Sequence, residues 1–93
     1  FGAGFGSFSY LKYLPFTTVK IAGEFVRQID DNDVDRALVS AVVGVAHQLG
    51  MRTVAEQVDR PALVTHLRAL GVVDGQGFHL GRPRPLEAVL SEL

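Results

Sequence analysis

The 93-residue chain contains no cysteine, so it cannot form a disulfide, use a thiolate nucleophile or bind zinc through sulfur. No apolar run approaches the roughly 20 residues of a membrane-spanning helix, and no signal peptide is visible. The net charge of −1 also differs from the strongly basic balance of proteins that bind nucleic acids or membrane surfaces. We therefore expect a cytoplasmic protein, with no DNA, RNA or membrane contact made by this chain.

The residues that are present are typical of a folded protein, with 47% apolar and 20% charged residues. Ninety-three residues make at most one domain, and a small one for a parallel sheet covered by helices. The chain starts at Phe1 rather than at a methionine, and its glycine-rich first residues have the composition of a loop. We therefore expect the chain to be a fragment of a larger domain.

Three short runs rich in β-branched residues predict strands at residues 17–22, 51–55 and 72–76. Helical segments separate these runs, and parallel strands need such long crossover connections. The pattern therefore predicts an α/β fold with about three parallel strands and covering helices. A closed eight-stranded barrel needs roughly 200 residues or more, so this chain could supply well under half of one. The rival is an open doubly wound sheet, but no G-x-G-x-x-G lies between a strand and a helix.

Amphipathic spacing predicts four helices, of which the second is the clearest. They are expected at residues 7–14, 33–49, 60–70 and 85–93. Asp31, Asn32 and Asp33 offer capping oxygens to the second helix, and Gly50 is placed to end it. Its apolar stripe is predicted at Val34, Leu38, Ala41, Val42, Val45 and Leu49. The buried residues of the last helix are predicted to be Leu86, Val89, Leu90 and Leu93.

Lys20, Glu56 and Gln76 stand at or just past the carboxyl ends of the three predicted strands, where ligands bind in parallel α/β folds. Glu56 could bind a hard cation such as Mg²⁺ or accept a proton from a metal-bound water, and it could equally be a solvent-facing loop acid. Lys20 lies inside an apolar strand, where it could address a phosphate or extend its ammonium to solvent. The glycines beside Gln76 would let the backbone approach a ligand closely.

The three histidines show no metal-binding spacing. His47 and His66 fall on predicted helices away from the strand ends, which favours surface or packing roles, and His79 follows the third strand. The acidic turn Asp30–Asp33 is more simply a helix cap than a calcium loop, because the later glycine and glutamate of an EF-hand are missing.

An ordered set of short motifs extends over essentially the whole chain. The motifs are FGAGFGSFSYLK at 1–12, LP at 14–15, VKI at 19–21, AHQLG at 46–50, VAEQVD at 54–59, QGF at 76–78 and RP at 82–83. Together they resemble the C-terminal part of the EAL domain family, which is named for a Glu-Ala-Leu motif near its start. The resemblance implies a (β/α)8 TIM-type barrel, of which residues 1–93 would be the C-terminal portion.

The resemblance also implies an activity, namely a bacterial signalling phosphodiesterase that hydrolyses cyclic di-GMP to linear pGpG with Mg²⁺ or Mn²⁺. In that family pattern Glu56 corresponds to the strand-end glutamate that serves the metal-bound water, as ligand or general base. Lys20 corresponds to the lysine that positions this water, and Gln76 to a glutamine near the ligand. Asp59 stands where the family usually has a second glutamate.

Three departures from the family pattern bear on activity. Most of the family's metal ligands lie upstream of Phe1, Ala22 replaces the usual aspartate, and Gln57 replaces the usual glycine. We therefore expect the isolated chain to be inactive. One alternative is a degenerate, non-catalytic module that binds cyclic di-GMP or a protein partner. Another is a partial barrel whose exposed strand edges and apolar helix faces produce a homo-oligomer.

Overall fold

The structure, a computed structural model, describes residues 18–77 and 82–93. The first predicted helix, at residues 7–14, and His79 lie outside the described residues. The described elements in chain order are β1 (Thr18–Ile21), α1 (Gly23–Val26), α2 (Asp33–Gln48), β2 (Arg52–Ala55), α3 (Pro61–Leu70), β3 (Asp74–Gly75), β4 (Arg84–Pro85) and α4 (Leu86–Ser91).

The strands form one sheet in the order β1-β2-β3-β4. The β1–β2 and β2–β3 pairs are parallel, as predicted, and β4 adds an antiparallel edge that the sequence did not predict. Lys20 pairs with Val54, and Val54 pairs with Asp74. Because side chains alternate along a strand, these three residues share one face of the sheet.

The third strand is shorter than predicted, with only two residues. The backbone N–H of Val73 donates to the hydroxyl of Thr53 at 3.1 Å, and the N–H of Val72 donates to the carbonyl of Leu67 at 3.0 Å. Neither N–H is therefore available to the ladder with β2, and regular pairing begins only at Asp74.

The hydrophobic core lies between the other face of the sheet and the helices. Ile21 and Ala55 belong to it, together with residues of α2, α3 and α4. Gly75 lies on this face too, because a methyl group there would come within 2.9 Å of Leu86 Cδ2. The sheet therefore has one face covered by helices and an opposite face that carries Lys20. No described helix is long and apolar enough to cross a membrane.

Asn32 caps α2, as the sequence predicts, because its side-chain oxygen accepts the N–H of Asp35 at 3.0 Å. Asp33 instead pairs with Arg36. Gly50 follows the end of the helix with a φ of +69°, a conformation that favours glycine.

The apolar stripe predicted for α2 is wrong for most of its residues, although Val42 does pack against the core. Val34 and Leu38 are 68% and 46% exposed, and the fully buried residues of α2 are Val39 and Ala46. The helix is apolar on most sides, so two different sets of residues have helical spacing and only tertiary packing selects between them. In α4, Leu86 and Val89 are buried as predicted. Leu90 and Leu93 are exposed instead, Leu90 within the helix and Leu93 beyond its end.

Candidate functional site

Glu56 and Gln76 lie side by side at the carboxyl edge of the parallel strands. The N–H of Glu56 donates to the carbonyl of Ile21 at 3.0 Å, and that of Gln76 donates to Ala55 at 2.8 Å, so strand pairing continues through both residues. Glu56 is half-buried and Gln76 is 7% exposed. The predicted meeting of these two residues at one edge is therefore present in the structure.

Lys20 lies on the same face of the sheet, one side-chain level below Glu56. It pairs with Val54, which precedes Glu56 by two residues. Residues two positions apart along a strand are about 7 Å apart, and neighbouring strands are about 4.8 Å apart. The long side chain of Lys20 can therefore bring its ammonium to the level of the Glu56 carboxylate. Within the described ranges, Lys20 and Glu56 take part in no ion pair. The lysine side chain is exposed.

Gln57, which stands where the family pattern has glycine, has a φ of +56°. Its side chain lies against Gly23 at the start of α1, where an added methyl group would be 2.6 Å from the Gln57 Nε2 atom. Only glycine fits at residue 23 while Gln57 keeps this conformation. The positive φ of Gln57 is thus accompanied by a close contact with the first residue of α1.

Asp59 is placed differently from the other candidates. Its side chain is partly exposed, and its Oδ1 atom lies 3.8 Å from Arg60 Nε. Arg60 makes its shorter contacts with Asp30, at 2.9 and 3.2 Å, and with the carbonyl of Arg27, at 2.5 Å. These hydrogen bonds from Arg60 lower the pKa of Asp30 below its ordinary value. The structure therefore joins Asp59 to an arginine at the rim, rather than to Glu56 or Gln76.

Sequence reasoning overlooked Asp74 as a member of this face. Asp74 is only 8% exposed and accepts two hydrogen bonds from Arg52, from Nε and Nη2, both at 3.1 Å. Its position two residues before Gln76 is the signal that could have identified it, because that spacing places both side chains on one face.

The described residues can supply part of a metal site. Among them, no group of three or more His, Cys, Asp or Glu side chains could hold a metal ion. Glu56 offers a half-buried carboxylate at a strand end, which fits one ligand position of a hard divalent cation. His47 and His66 lie on α2 and α3, away from this edge.

Comparison with known proteins supports the EAL resemblance. A model of the EAL domain family matches residues 1–83. The cyclic di-GMP phosphodiesterase PdeB of Shewanella oneidensis is 41% identical over 86 residues, covering 92% of this chain and 10% of that protein. The bifunctional diguanylate cyclase/cyclic di-GMP phosphodiesterase MucR of Pseudomonas aeruginosa is 40% identical over 93 residues, covering all of this chain and 14% of that protein. The chain thus spans a small part of the length of these relatives.

Solved structures give the same result. The PaMucR phosphodiesterase in complex with c-di-GMP matches with a TM-score of 0.77 and 41% identity, over 97% of this chain and 36% of that chain. The manganese/cy-diGMP complex of Klebsiella pneumoniae BlrP1 matches with a TM-score of 0.73 and 32% identity, over 92% of this chain and 22% of that chain. The chain therefore belongs to the EAL domain family, and its parallel strands and helices form part of a TIM-type barrel.

Proposed function

We propose that residues 1–93 are the C-terminal portion of a cyclic-di-GMP phosphodiesterase domain, which hydrolyses cyclic di-GMP to linear pGpG with Mg²⁺ or Mn²⁺. The observation that carries the proposal is the common edge of Glu56 and Gln76, with Lys20 on the same face of the sheet. The names of the relatives and the nucleotide in the PaMucR structure support the substrate.

Each candidate residue has a role that suits its position. Glu56 provides one carboxylate ligand or accepts a proton from the attacking water. A bound divalent cation would lower the pKa of water and neutralise charge on the phosphodiester. The ammonium of Lys20 donates to a phosphate oxygen or to the water, and the Gln76 amide binds the nucleotide. Asp59, three residues after Glu56, contributes to ligand binding. The remaining metal ligands come from outside residues 1–93, so the isolated chain is inactive.

The proposal is tested with purified full-length protein, by chromatography of pGpG formed from cyclic di-GMP. Glu56→Gln keeps the size of the side chain but removes the carboxylate, and we expect at least a 100-fold fall in turnover. Glu87→Gln is the matched control, since Glu87 is exposed on α4 and pairs with Arg68. Equal turnover in the Glu56 variant and the wild type would overturn the proposal.

The second candidate is a degenerate module that binds cyclic di-GMP or a protein partner without hydrolysis. Ala22, which precedes α1, leaves a methyl group where the family pattern has a carboxylate, and Gln57 holds a strained φ beside Glu56. Calorimetric titration with cyclic di-GMP separates the two functions. Tight binding by the full-length protein with no pGpG formed in Mg²⁺ or Mn²⁺ would favour the module.

A homo-oligomer is part of the proposal, with a second copy of the chain against α2. The exposed side of this helix carries no charged residue after Arg36, and a methyl group at Gly44 would meet nothing within 4 Å. Two such faces can meet without charge repulsion around a two-fold axis. Sedimentation velocity tests this, with Leu38→Glu expected to give a monomer.

The cytoplasmic location expected from the sequence is also a proposal, tested by cell fractionation.

A further inference from the structure

Two loops lie side by side at the carboxyl edge of β1 and β2. We call residues 56–60 the Glu56 loop and residues 22–32 the α1 segment, which contains α1 and leads into α2. The α1 segment follows β1, the strand that carries Lys20, and the Glu56 loop follows β2, so the two loops leave neighbouring strands at the same edge of the sheet.

Arg60 connects these two loops at the outer rim. Its Nη1 and Nη2 atoms donate to the two carboxylate oxygens of Asp30, and Nη2 also donates to the carbonyl of Arg27. The partners lie 30 and 33 residues earlier in the chain. A planar guanidinium can satisfy all three oxygen contacts together, whereas the ammonium of a lysine acts as a point charge and lacks this fork.

The rest of the Glu56 loop is anchored close to Glu56 itself. Gln57 packs on Gly23 of the α1 segment, and the N–H of Val58 donates to the carbonyl of Gln76 at 2.8 Å. Val58 is fully buried. Arg60 is the last anchor before α3 begins, so it determines how firmly the outer half of the loop is held against the α1 segment.

We infer that Arg60 is a positioning residue, whose fork on Asp30 and on the Arg27 carbonyl holds the Glu56 loop in the geometry needed for turnover. This inference rests on the proposed phosphodiesterase function. Reactions that depend on a positioned group lose up to about 100-fold in rate when that group is displaced by about 1 Å. Arg60 is itself half-exposed, and exposed ion pairs contribute little to global stability. Its loss should therefore alter the loop without unfolding the domain.

Four single variants and one double variant, Arg60→Met with Asp30→Asn, test the inference in the full-length protein. Arg60→Met removes the fork and keeps an unbranched side chain, and Asp30→Asn removes the charge of the acceptor. Arg60→Lys is the conservative variant, which retains the charge. Arg36→Met is the matched control, because Arg36 also pairs with an acid, Asp33, and donates to a carbonyl, that of Ile29 at 3.0 Å. Those contacts do not involve the Glu56 loop.

Two experiments are done on each variant. Steady-state kinetics gives kcat and KM for cyclic di-GMP, and hydrogen exchange gives the protection of the amides of residues 57–59. We expect Arg60→Met to lower kcat about tenfold with little change in KM. Arg60→Lys should recover part of this loss, and the double variant with Asp30→Asn should be no worse than Arg60→Met. Exchange in the Glu56 loop should become faster in Arg60→Met and stay unchanged in Arg36→Met.

The outcomes separate this inference from the function on which it rests. A wild-type protein without turnover would contradict the proposed function. Faster exchange in Arg60→Met would still support the role of Arg60 in holding the Glu56 loop against the α1 segment. Unchanged exchange and kcat in Arg60→Met would overturn the inference, and so would an equal loss of kcat in Arg36→Met.

Discussion

Arg52 and Asp74 join β2 to β3 through two parallel hydrogen bonds, on the sheet face that also carries Lys20. The Asp74 carboxylate is nearly buried, whereas the arginine side chain is 61% exposed. Because Gln76 follows two residues later on the same strand, this ion pair lies directly beneath the level of Gln76 and Glu56 on the same face.

Removing the arginine of this pair should destabilise the domain. Arg52→Met leaves the Asp74 carboxylate largely buried without its partner, and we expect a loss of about 1–3 kcal/mol in the free energy of unfolding. Arg68→Met breaks an exposed pair with Glu87 and should cost less than about 1 kcal/mol. Urea unfolding of both variants measures the difference, and equal effects would argue against a structural role for the Arg52–Asp74 pair.

Gly23 and Gln57 should be energetically coupled. Gly23→Ala alone places a methyl group against the Gln57 amide, the far end of a flexible and exposed side chain that can move aside, so it should cost no more than about 1 kcal/mol. Gln57→Gly relieves the positive φ and removes the obstructing side chain, so the double variant should be more stable than Gly23→Ala. A double-mutant cycle on unfolding free energies measures this coupling.

Gly44→Ala provides the control for that cycle. Gly44 lies inside α2, and an added methyl group would meet nothing within 4 Å. We expect this variant to gain about 0.5–1 kcal/mol, because alanine favours a helix interior more than glycine does. Additive effects of the Gly23 and Gln57 substitutions would show that the contact between the two loops carries no energy.

The pKa of Asp30 should depend on Arg60. The hydrogen bonds from Arg60 lower the pKa of this carboxyl in the folded protein below its unfolded value, which is about 3.9. The stability that the pair contributes is therefore fully present above about pH 4 and is lost as the pH falls through the lowered folded value. NMR titration should show the pKa of Asp30 rising toward its ordinary value in Arg60→Met. An identical titration in wild type and variant would contradict the contact.

Lys20 should matter for turnover more than for binding. Lys20→Met removes the ammonium from the candidate site and keeps an apolar stem of similar length. We expect kcat to fall about 100-fold or more, because the lost charge acts on the phosphodiester or on the attacking water. Arg27→Met is a control for loss of a nearby exposed positive charge, since only the carbonyl of Arg27 makes the described contact. Equal losses in the two variants would indicate a general charge effect.

Local patterns predicted the elements that place the candidate site. β-branched runs identified β1 and β2, and the position of Lys20, Glu56 and Gln76 at or just past the strand ends predicted that they gather at one edge of the sheet. Their shared face became clear only from the observed register of the strands. Gly50 and Gly71, which follow α2 and α3 with positive φ, indicated in the sequence where those helices end.

Features that depend on distant contacts were not predictable in this way. The four-residue α1 has no capping side chain, and β4 contains Pro85, which usually argues against a strand and is tolerated here because β4 is an edge. The contact between Arg60 and Asp30 spans 30 residues and has no local signal. The buried face of α2 was selected by packing, since Val39, Val42 and Ala46 also have helical spacing and it is this set that meets the core.

The most direct test of the central claim is the rate of cyclic di-GMP hydrolysis by the full-length protein as Mn²⁺ or Mg²⁺ is titrated. We expect the rate to rise and saturate with metal, pGpG to be the product, and turnover to be abolished by chelation and by Glu56→Gln. Nucleotide binding with no hydrolysis at any metal concentration would contradict the central claim and would identify a binding module instead.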